Sequence, residues 1–543
     1  MEAIESLLRR YGRLKSENDA WSNHREDLAR VLLPRRQGFV TEQVEGSQRL
    51  EDIYDGTPQQ AARGLANAVG GMLRPDGEDW IKIRPEDDAV DNTEEAKAWL
   101  AEAEERQMGA LNNPKARFRQ ATGEADKDLV VFGEAAMYVG ESRSLRHLIF
   151  QSLHLKDAVP FFDEEGNPEG LFRMFTYRQA QARFGDMLSD KAKENAEKSP
   201  DGKIQVLHAV VPRAEGRPGA LLAKNLPFAD LWIEYESKKL LSTGGFHEFP
   251  FVVPRWDTSS GESGGRSPGM IALPDSNTLQ ALGQTILVAG QRAADPPLFA
   301  PNDSAFDAAN TYPGGISYYD VDTAMAVRGN PFFPLESGTN LPITRDMQLD
   351  VRDQVFAAFF KNVFNLPVGG PQMTAEEIRA RKEEFIREVG PVFGRLETDY
   401  TAPMVERSFS IMLRGGGFGE VPNILLGQNV RFEYESPVKK IRQQIEAAAA
   451  RMWVQERVER AMAMQRPDML DIINFNEYDR FTAEVTGLPH NLLNSEEAIL
   501  ALQQKRDEAM AAQQQLNTIQ QIASAAKDGA SAISTMQPEE AVA

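Results

Sequence analysis

The strongest candidate for catalytic chemistry is the segment Gly261-Glu262-Ser263-Gly264-Gly265, which matches the G-x-S-x-G pattern of a serine nucleophile. Such a serine must sit at a sharp turn between a strand and a helix, so that its hydroxyl is exposed. A loop precedes the segment, Arg266-Ser267-Pro268-Gly269 follows it, and the only later histidine is His490. We therefore interpret the segment as a loop and keep a serine hydrolase using Ser263 as a minor alternative.

Other kinds of catalytic and binding site can be tested against single residue types. The chain has no cysteine, which excludes disulfides, thiolate zinc sites and cysteine nucleophiles. Its one Gly-Lys pair, Gly202-Lys203, continues with Ile204 and so forms no phosphate-binding P-loop. His147 and His154 lack the close spacing of zinc ligands. We predict no catalytic residue, no cofactor and no metal in this chain.

The charge balance limits the partners that the chain is expected to bind. The 60 basic and 81 acidic residues give a net charge of -21, which argues against a broad basic face that grips nucleic acid. An acidic wall still lets a polyanion slide past, although acidity equally serves solubility. The N-terminus lacks signal-peptide features, and no apolar run reaches the roughly 18 residues of a membrane span. We expect a non-secreted protein without stable membrane association.

The first part of the chain, which must help to position any site, is predicted to contain two helices followed by a mixed region of strands and helices. Apolar residues recur at helical spacing from Ile4, and the pattern stops at Pro34. A second helix is expected with Thr57 as its N-cap, because Pro58 suits the first helical position. Residues 80–270 then alternate strand-like runs with helices, which predicts an α+β domain. In that domain, strands are expected near 145–155, 204–211 and 231–236, helices at 93–111 and 116–131, and an exposed loop or hairpin at 191–203.

Two further helices are expected at residues 275–294 and 343–364, since their apolar residues recur at helical spacing. The turn-rich segment 298–342 separates them and contains strand candidates at 316–319 and 325–328. With only a small non-helical region between them, the two helices are able to run antiparallel.

A Pro/Gly-rich loop follows the second of these helices. In Asn365-Leu366-Pro367-Val368-Gly369-Gly370-Pro371, two prolines and two glycines forbid a continuous helix. Thr374 and Glu377 then form a capping box, which opens a long helical run that Pro391 and Pro403 should kink.

The C-terminal part of the chain is expected to be mainly helical. Glycines 415–417 stop the long run, and residues 430–434 alternate as one strand. Helices resume at 437–464, and the Ala- and Gln-rich stretch 496–527 is helical in propensity. Its apolar stripe is thin, so it needs packing partners.

In this order, the pieces resemble the head-to-tail connector, or portal, proteins of podoviruses. The resemblance extends from the N-terminus to about residue 434 and rests on the order and spacing of several short segments. Gly264 departs from the family pattern, which has an aromatic residue there. The segments that carry the resemblance are Tyr54-Asp55-Gly56-Thr57 with Leu65-Ala66-Asn67 and Trp80, Pro254-Arg255-Trp256 with Gly265-Arg266-Ser267-Pro268-Gly269, Ala272-Leu273-Pro274-Asp275, Asp295-Pro296-Pro297-Leu298, Met373-Thr374-Ala375-Glu376-Glu377, Gly390-Pro391-Val392 and Arg395-Leu396.

The resemblance implies a predominantly helical α+β fold, built as a portal-type subunit with wing, stem, clip and crown around an axial channel. These parts would be the wing in residues 1–270, the first stem helix in 271–297, the clip in 298–342, the second stem helix in 343–364, the tunnel loop in 365–373, a long kinked helix and return strand in 374–436, and a helical crown or barrel in 437–543.

Two groups of residues become candidates for contact with DNA. Arg345, Arg352 and Lys361 lie on the polar side of the second stem helix, where they would contact phosphates or form salt bridges between helices. The resemblance implies that the tunnel loop faces DNA. Its residues are Leu366, Pro367, Val368, Gly369, Gly370, Pro371 and Gln372.

In function, the resemblance implies a dodecameric ring that conducts double-stranded DNA during genome packaging, retention and ejection. Its expected partners are terminase, tail adaptor proteins, and capsid and scaffolding proteins. Its expected location is one vertex of the virion, after assembly in the host cytoplasm. Two alternatives stay open: a helical internal virion or scaffolding protein, suggested by the acidity and the C-terminal composition, and the hydrolase.

Overall fold

The structure is a computed structural model. It describes residues 2–40, 46–50, 52–77, 79–87, 93–142, 147–162, 168–173, 177–198, 204–220, 222–262, 264–302, 312, 315–320, 333–334, 341–361, 387, 390–435, 437–485 and scattered positions between 499 and 519. The chain divides into two compact units, Met1–Lys439 and Lys440–Ala543. All the β-strands described below belong to the first unit.

Helices supply most of the regular structure, which confirms the predominantly helical α+β class. Within the described residues no helix is both long enough and apolar enough to cross a membrane. In chain order the helices are α1 (Glu2–Leu32), α2 (Thr57–Leu73), α3 (Glu94–Leu111), α4 (Phe118–Phe132), α5 (Tyr177–Phe184), α6 (Asp190–Lys198), α7 (Pro268–Ala294), α8 (Leu341–Ala358), α9 (Ala402–Arg414), α10 (Pro437–Met464) and α11 (Phe475–Val485).

The strands are short, and in the described part of the chain they form five small sheets. The strands are β1 (Ile81–Pro85), β2 (Ala136–Glu141), β3 (Leu148–Leu153), β4 (Val159–Phe162), β5 (Pro168–Arg173), β6 (Val206–Pro212), β7 (Phe228–Glu234), β8 (Lys239–Phe246), β9 (Phe251–Val252), β10 (Asp257–Thr258), β11 (Gly265–Arg266), β12 (Leu298–Asn302), β13 (Ile316–Asp320), β14 (Phe333–Pro334) and β15 (Val430–Tyr434).

The largest sheet is antiparallel, with strand order β4-β5-β6-β7-β8. Successive side chains of a strand point to opposite faces, so Val206 and Trp232 face one side while Leu207 and Ile233 face the other. Tyr11 and its apolar neighbours on α1 cover the second face, and α5 and α6 cover the first. The N-terminal helix predicted from its apolar spacing thus completes the core of this sheet.

A second core lies where α2 packs on α4. Arg74 at the end of α2 donates to both carboxylate oxygens of Asp126 on α4, at 2.7 and 2.5 Å. Both side chains are buried. Buried charges are tolerated when they are paired in this way, so the ion pair fixes how the two helices sit against each other.

The strand predicted at residues 430–434 is confirmed as β15, and it closes the first unit. It pairs antiparallel with β1, from Ile81 opposite Tyr434 to Pro85 opposite Val430. Ile81 and Ile83 are fully buried. The two strands of this ladder are therefore more than three hundred positions apart in sequence.

Three predicted elements differ in extent or type. The helix expected from residue 275 begins at Pro268, because the hydroxyl of Ser267 caps it and Pro274 is accommodated inside it. The helix expected over 343–364 ends at Ala358, and Phe360 adopts a positive φ of 55° directly after it. Residues 362–364 lie outside the described part. The prediction of an exposed loop or hairpin at 191–203 is wrong for the residues that form α6. Burial of Ala192 stabilises this helix, which is otherwise polar.

Candidate functional site

The two helices predicted as a pair, α7 and α8, pack against each other. Ile271 near the start of α7 lines the same cavity as Phe360 just beyond the end of α8. Gln280 halfway along α7 and Arg352 of α8 both bond to Asp55. Rising residue numbers on α7 thus meet falling numbers on α8, so the two helices run antiparallel.

A buried turn before α2 is fixed by one side chain of α7. The Gln280 Oε1 atom accepts from the backbone N–H groups of Tyr54 and Asp55, at 2.8 and 2.9 Å. Its Nε2 atom donates to the carbonyl oxygen of Asp55 at 2.7 Å. The amide therefore satisfies three backbone groups of the turn, of which the two on Asp55 are buried.

The Asp55 carboxylate joins α2 to α8. Its Oδ1 atom accepts from the backbone N–H of Thr57 at 2.9 Å. Its Oδ2 atom accepts from Arg352 Nε at 3.0 Å, from Arg352 Nη2 at 2.8 Å and from Gln348 Nε2 at 3.2 Å. We call Asp55, Gln280, Gln348 and Arg352 the Asp55 junction. Because it links three helices, it sets where the paired helices leave the α+β body.

The same carboxylate corrects the predicted start of α2. Gly56, not Thr57, is the N-cap, and Thr57 is the first helical residue. The capping role expected of the Thr57 hydroxyl falls to the Asp55 carboxylate, which accepts from the first N–H of the helix.

Electrostatics keep Asp55 ionised. Burial raises the pKa of Asp55, but the hydrogen bonds from Thr57 and the ion pair with Arg352 outweigh burial, so the pKa lies below its ordinary value. The charged form of the junction is therefore the stable one at neutral pH.

A second junction docks the start of α7 on the end of α4. The Ser267 hydroxyl donates to the carbonyl oxygen of Val131 at 2.7 Å and accepts from the N–H of Met270 at 3.0 Å. A Cβ atom on Gly265 would lie only 2.0 Å from the carbonyl oxygen of Gly133. The segment Gly265-Arg266-Ser267-Pro268-Gly269, which carries the resemblance, thus needs its glycine and serine for close backbone packing.

The three basic candidates on and after α8 have different surroundings. Arg352 pairs with Asp55, which matches the salt-bridge alternative. Arg345 is exposed, and the exposed Lys361 places its Nζ 3.4 Å from the ring centroid of Phe356. Whether any of them meets a phosphate stays a prediction. The loop candidates lie outside the described residues: Leu366, Pro367, Val368, Gly369, Gly370, Pro371 and Gln372.

The helical run expected to return from that loop is described from residue 390 onward. A π-helical turn, Glu397–Thr401, directly precedes α9, whose second residue is Pro403. Proline has no N–H for the helical ladder, and the π-helical turn is a local irregularity just before Pro403; a kink at this proline stays a prediction. Tyr400 in this turn is fully buried and donates to the Thr122 carbonyl at 3.3 Å. The turn is thereby anchored to α4.

The residues described on either side of Ser263 do not have the arrangement that the hydrolase alternative requires. Ser263 lies outside the described residues, and β10 and β11 on either side of it pair antiparallel. The two flanking strands are thus antiparallel neighbours, whereas a nucleophile elbow needs a strand-turn-helix unit. His24 lines a nearby cleft of about 1020 Å³ with Gly261 and Gly264. Burial and then Arg266 lower the pKa of His24.

Among the described residues, no group of three or more His, Asp or Glu side chains is placed to hold a metal ion. His154 instead has a structural role. Its Nε2 lies 3.1 Å from the Arg36 carbonyl oxygen, and its Nδ1 accepts from the N–H of Lys156 at 3.1 Å. Burial, followed by Arg36, lowers the pKa of His154 to about 4, so the ring is neutral.

The sequence pattern alone does not point to Gln280 or to the linking role of Asp55. The only signal is Tyr54-Asp55-Gly56-Thr57, one of the segments that carry the resemblance. This segment indicates the turn but not the side chain that binds it, because Gln280 lies 225 positions away in sequence.

The described residues thus combine an antiparallel helix pair with an α+β body. The family model of the bacteriophage head to tail connecting proteins matches residues 5–493. The probable portal protein of Bordetella phage BPP-1 is 27% identical over 519 residues, covering 94% of this chain and 92% of that protein. The portal protein of Salmonella phage epsilon15 is 27% identical over 550 residues, covering 98% and 96%.

The chain therefore belongs to the bacteriophage head to tail connecting proteins, and the predicted resemblance is confirmed. One chain from the virion of a native gene transfer agent particle covers 77% of this chain and 91% of its own length. Its TM-score of 0.34 and identity of 10% are too low to support an argument about the fold.

Proposed function

We propose that copies of this chain form a portal ring at the head–tail junction, and that DNA passes through its channel. The observation that supports this most directly is the antiparallel pair α7 and α8, anchored at the Asp55 junction. A helix of 27 residues is about 40 Å long, enough to form part of a channel wall. Both curated relatives are named portal proteins.

In this proposal each part of the chain takes one place in the ring. The mixed region up to residue 270 is the wing, α7 and α8 form the stem, and residues 298–342, which include β12 to β14, form the clip. The long kinked helix and its return strand β15 lead back to the wing. Residues 437–543 form the crown or an internal barrel.

The charges near α8 suit DNA that slides instead of binding tightly. The Asp55 carboxylate offsets the charge of Arg352. Elsewhere on and directly after α8, exposed acidic residues outnumber exposed basic ones, so few phosphates would be held and few counterions released. The exposed residues are Asp346, Asp350 and Asp353 against Arg345 and Lys361.

The partners follow from the same role. During assembly the ring would dock the terminase, which hydrolyses ATP, and would contact capsid and scaffolding proteins. After packaging it would bind tail adaptor proteins through the clip and retain the genome until ejection. The subunit would occupy one vertex of the virion.

Electron microscopy of the purified protein tests the ring. We expect ring-shaped particles with a central hole, and a particle mass that fits a dodecamer. Monomers or rods at micromolar concentration would contradict the proposal and favour an internal virion or scaffolding protein.

A loop exchange tests the proposed contact between the tunnel loop and DNA. We expect that a Gly/Ser linker in place of Val368 to Pro371 leaves rings intact but impairs DNA packaging or retention, because the loop no longer presents its own side chains. A Gly/Ser replacement of the turn Pro218 to Ala220 serves as the control and should package normally. Full packaging by both variants would refute a role of the loop in holding DNA.

A further inference from the structure

A surface cleft of about 760 Å³ lies at the end of α2 that is remote from Asp55. Its walls include the last turns of α2 and α3 and the first half of α4. Each of these three helices contributes a glycine to the wall, and we call these residues the cleft glycines: Gly71, Gly109 and Gly123. A cleft of this volume is large enough for a ligand or for a segment of another protein.

The fold of the subunit does not require glycine at these three positions. A Cβ atom added to any of the cleft glycines would meet no atom within 4 Å. None of them has a positive φ. Glycine within a helix is usually less favourable than alanine, so the subunit alone gains nothing from the missing side chains. Glycine does serve where another molecule must approach the backbone closely.

A buried arginine supplies an independent sign that the cleft receives a hydrogen-bond acceptor. Arg74 lines the cleft and is 8% exposed. Its Nη2 atom donates to Asp126, whereas its buried Nη1 atom has no hydrogen-bond partner in the described part of the chain. Buried donors are normally paired, so an oxygen atom of an occupant would complete the bonding of this guanidinium.

The charges around the cleft restrict the kind of oxygen that can approach. Among the described residues that line it, four side chains are acidic and two are basic, and each basic one is paired with an acidic one. The acidic residues left over are Asp79 and Glu105, which are exposed and pair with no described residue. The last turn of α3 carries no basic residue, so the negative end of this helix adds to their potential. An anion is therefore repelled, and the oxygen that reaches Arg74 should belong to a neutral carbonyl group.

We propose that this cleft binds a basic, extended peptide segment of a different protein. The main chain of the peptide lies against the cleft glycines, and one of its carbonyl oxygens accepts from Arg74. Its Lys or Arg side chains pair with Asp79 and Glu105. The net charge of -21 on this chain attracts a basic segment and steers it to an acidic surface. The inference concerns the single subunit and does not depend on the proposed ring.

Filling the cleft tests the proposal. Gly109→Leu places a side chain that suits a helix into the cleft, and Gly12→Leu makes the same change in α1 at a glycine that also has open space around it. Short random peptides are selected for binding to the immobilised natural chain. We expect to find selected peptides that lose at least tenfold in affinity on Gly109→Leu but not on Gly12→Leu, and we expect them to be rich in Lys and Arg. The proposal is overturned if no peptide distinguishes the two variants, or if the distinguishing peptides are acidic or uncharged.

Removing one charge gives a second test that changes no packed group. Glu105→Gln keeps the volume of the side chain, and the control Glu95→Gln alters an exposed glutamate of the same helix that does not line the cleft. We expect Glu105→Gln to weaken the selected basic peptides at least threefold at low salt, and Glu95→Gln to leave their affinity unchanged. The difference should shrink in about 1 M salt, where exposed charges are screened. Equal affinities for the two variants at low salt would contradict the proposal, even if Gly109→Leu did not fold.

Assembly of the same variants distinguishes a different protein from a second copy of this chain. We expect Gly109→Leu and Gly12→Leu to form rings equally well, because the cleft is reserved for another protein. Rings from Gly12→Leu but none from a folded Gly109→Leu would show that a second copy occupies the cleft, and would overturn the proposal. If the natural chain forms no ring, the proposed function fails while the peptide measurements still decide this inference.

Discussion

At the scale of single residues, the Asp55 carboxylate has the largest consequences, because one side chain serves both the start of α2 and the middle of α8. We expect Asp55→Asn to lower the free energy of unfolding by about 1–3 kcal/mol, since the partly buried Arg352 would lose its charged partner. Thermal unfolding of the purified variants measures this. The matched control is Asp257→Asn, whose carboxylate is 67% exposed and pairs with Arg395 at 2.7 Å. It should cost at most about 1 kcal/mol.

The pH dependence of this effect has a definite sign. The pKa of Asp55 is lower in the folded chain than the value of 3.8 expected when unfolded. Its stabilisation is therefore complete above that value and is lost as the pH falls through the folded pKa. The difference between the natural chain and Asp55→Asn should be largest near pH 7 and shrink below the unfolded value. A difference that stays constant with pH would mean that the charge of Asp55 does not matter.

At the scale of elements, the contact between Gly133 and Gly265 decides how α7 docks on α4. We expect Gly265→Ala to cost about 3 kcal/mol, because the new methyl group would meet a backbone oxygen that cannot move aside. Gly123→Ala in α4 is the matched control. Its Cβ would find open space, so alanine should add about 0.5–1 kcal/mol of stability. Equal melting temperatures for the two variants would show that the docking is loose.

Regular elements with strong periodicity were predictable from the sequence, whereas their ends and partners were not. The pattern predicted α1, α10 and β15 with bounds close to those observed. It placed the start of α7 late, since a proline inside a helix looks like a boundary until Ser267 is seen to cap the helix. It missed α6 because only tertiary burial makes that polar segment helical.

The candidate site was predictable only in part for a similar reason. Local sequence indicated the paired helices and the segment around Asp55, but it carries no information on which distant side chain completes a turn. Gln280 and Arg352 became partners of Asp55 only through the fold. The Pro/Gly loop was found by composition, and its role in contacting DNA stays a prediction.

At the scale of the whole molecule, the division after Lys439 predicts that the first unit folds alone. We expect a chain that ends after Glu435 to melt within a few degrees of the full chain. A chain that ends after Leu426 lacks β15 and exposes Ile81 and Ile83 of β1. Exposure costs about 1.5–3 kcal/mol for each such side chain, so this chain should melt much lower. Equal melting of the two truncated chains would contradict a structural role of the β1–β15 ladder.

The Asp55 junction also has a consequence for the order of events on the ribosome. Asp55 and Arg352 are 297 positions apart, so the turn before α2 leaves the ribosome long before its partner helix is made. At about 5–20 residues per second, the delay is roughly 15–60 s. During that interval Asp55 is without the arginine that it pairs with in the folded chain. The two helices can pair at the Asp55 junction only after residues up to Ala358, about four-fifths of the first unit, have been synthesised.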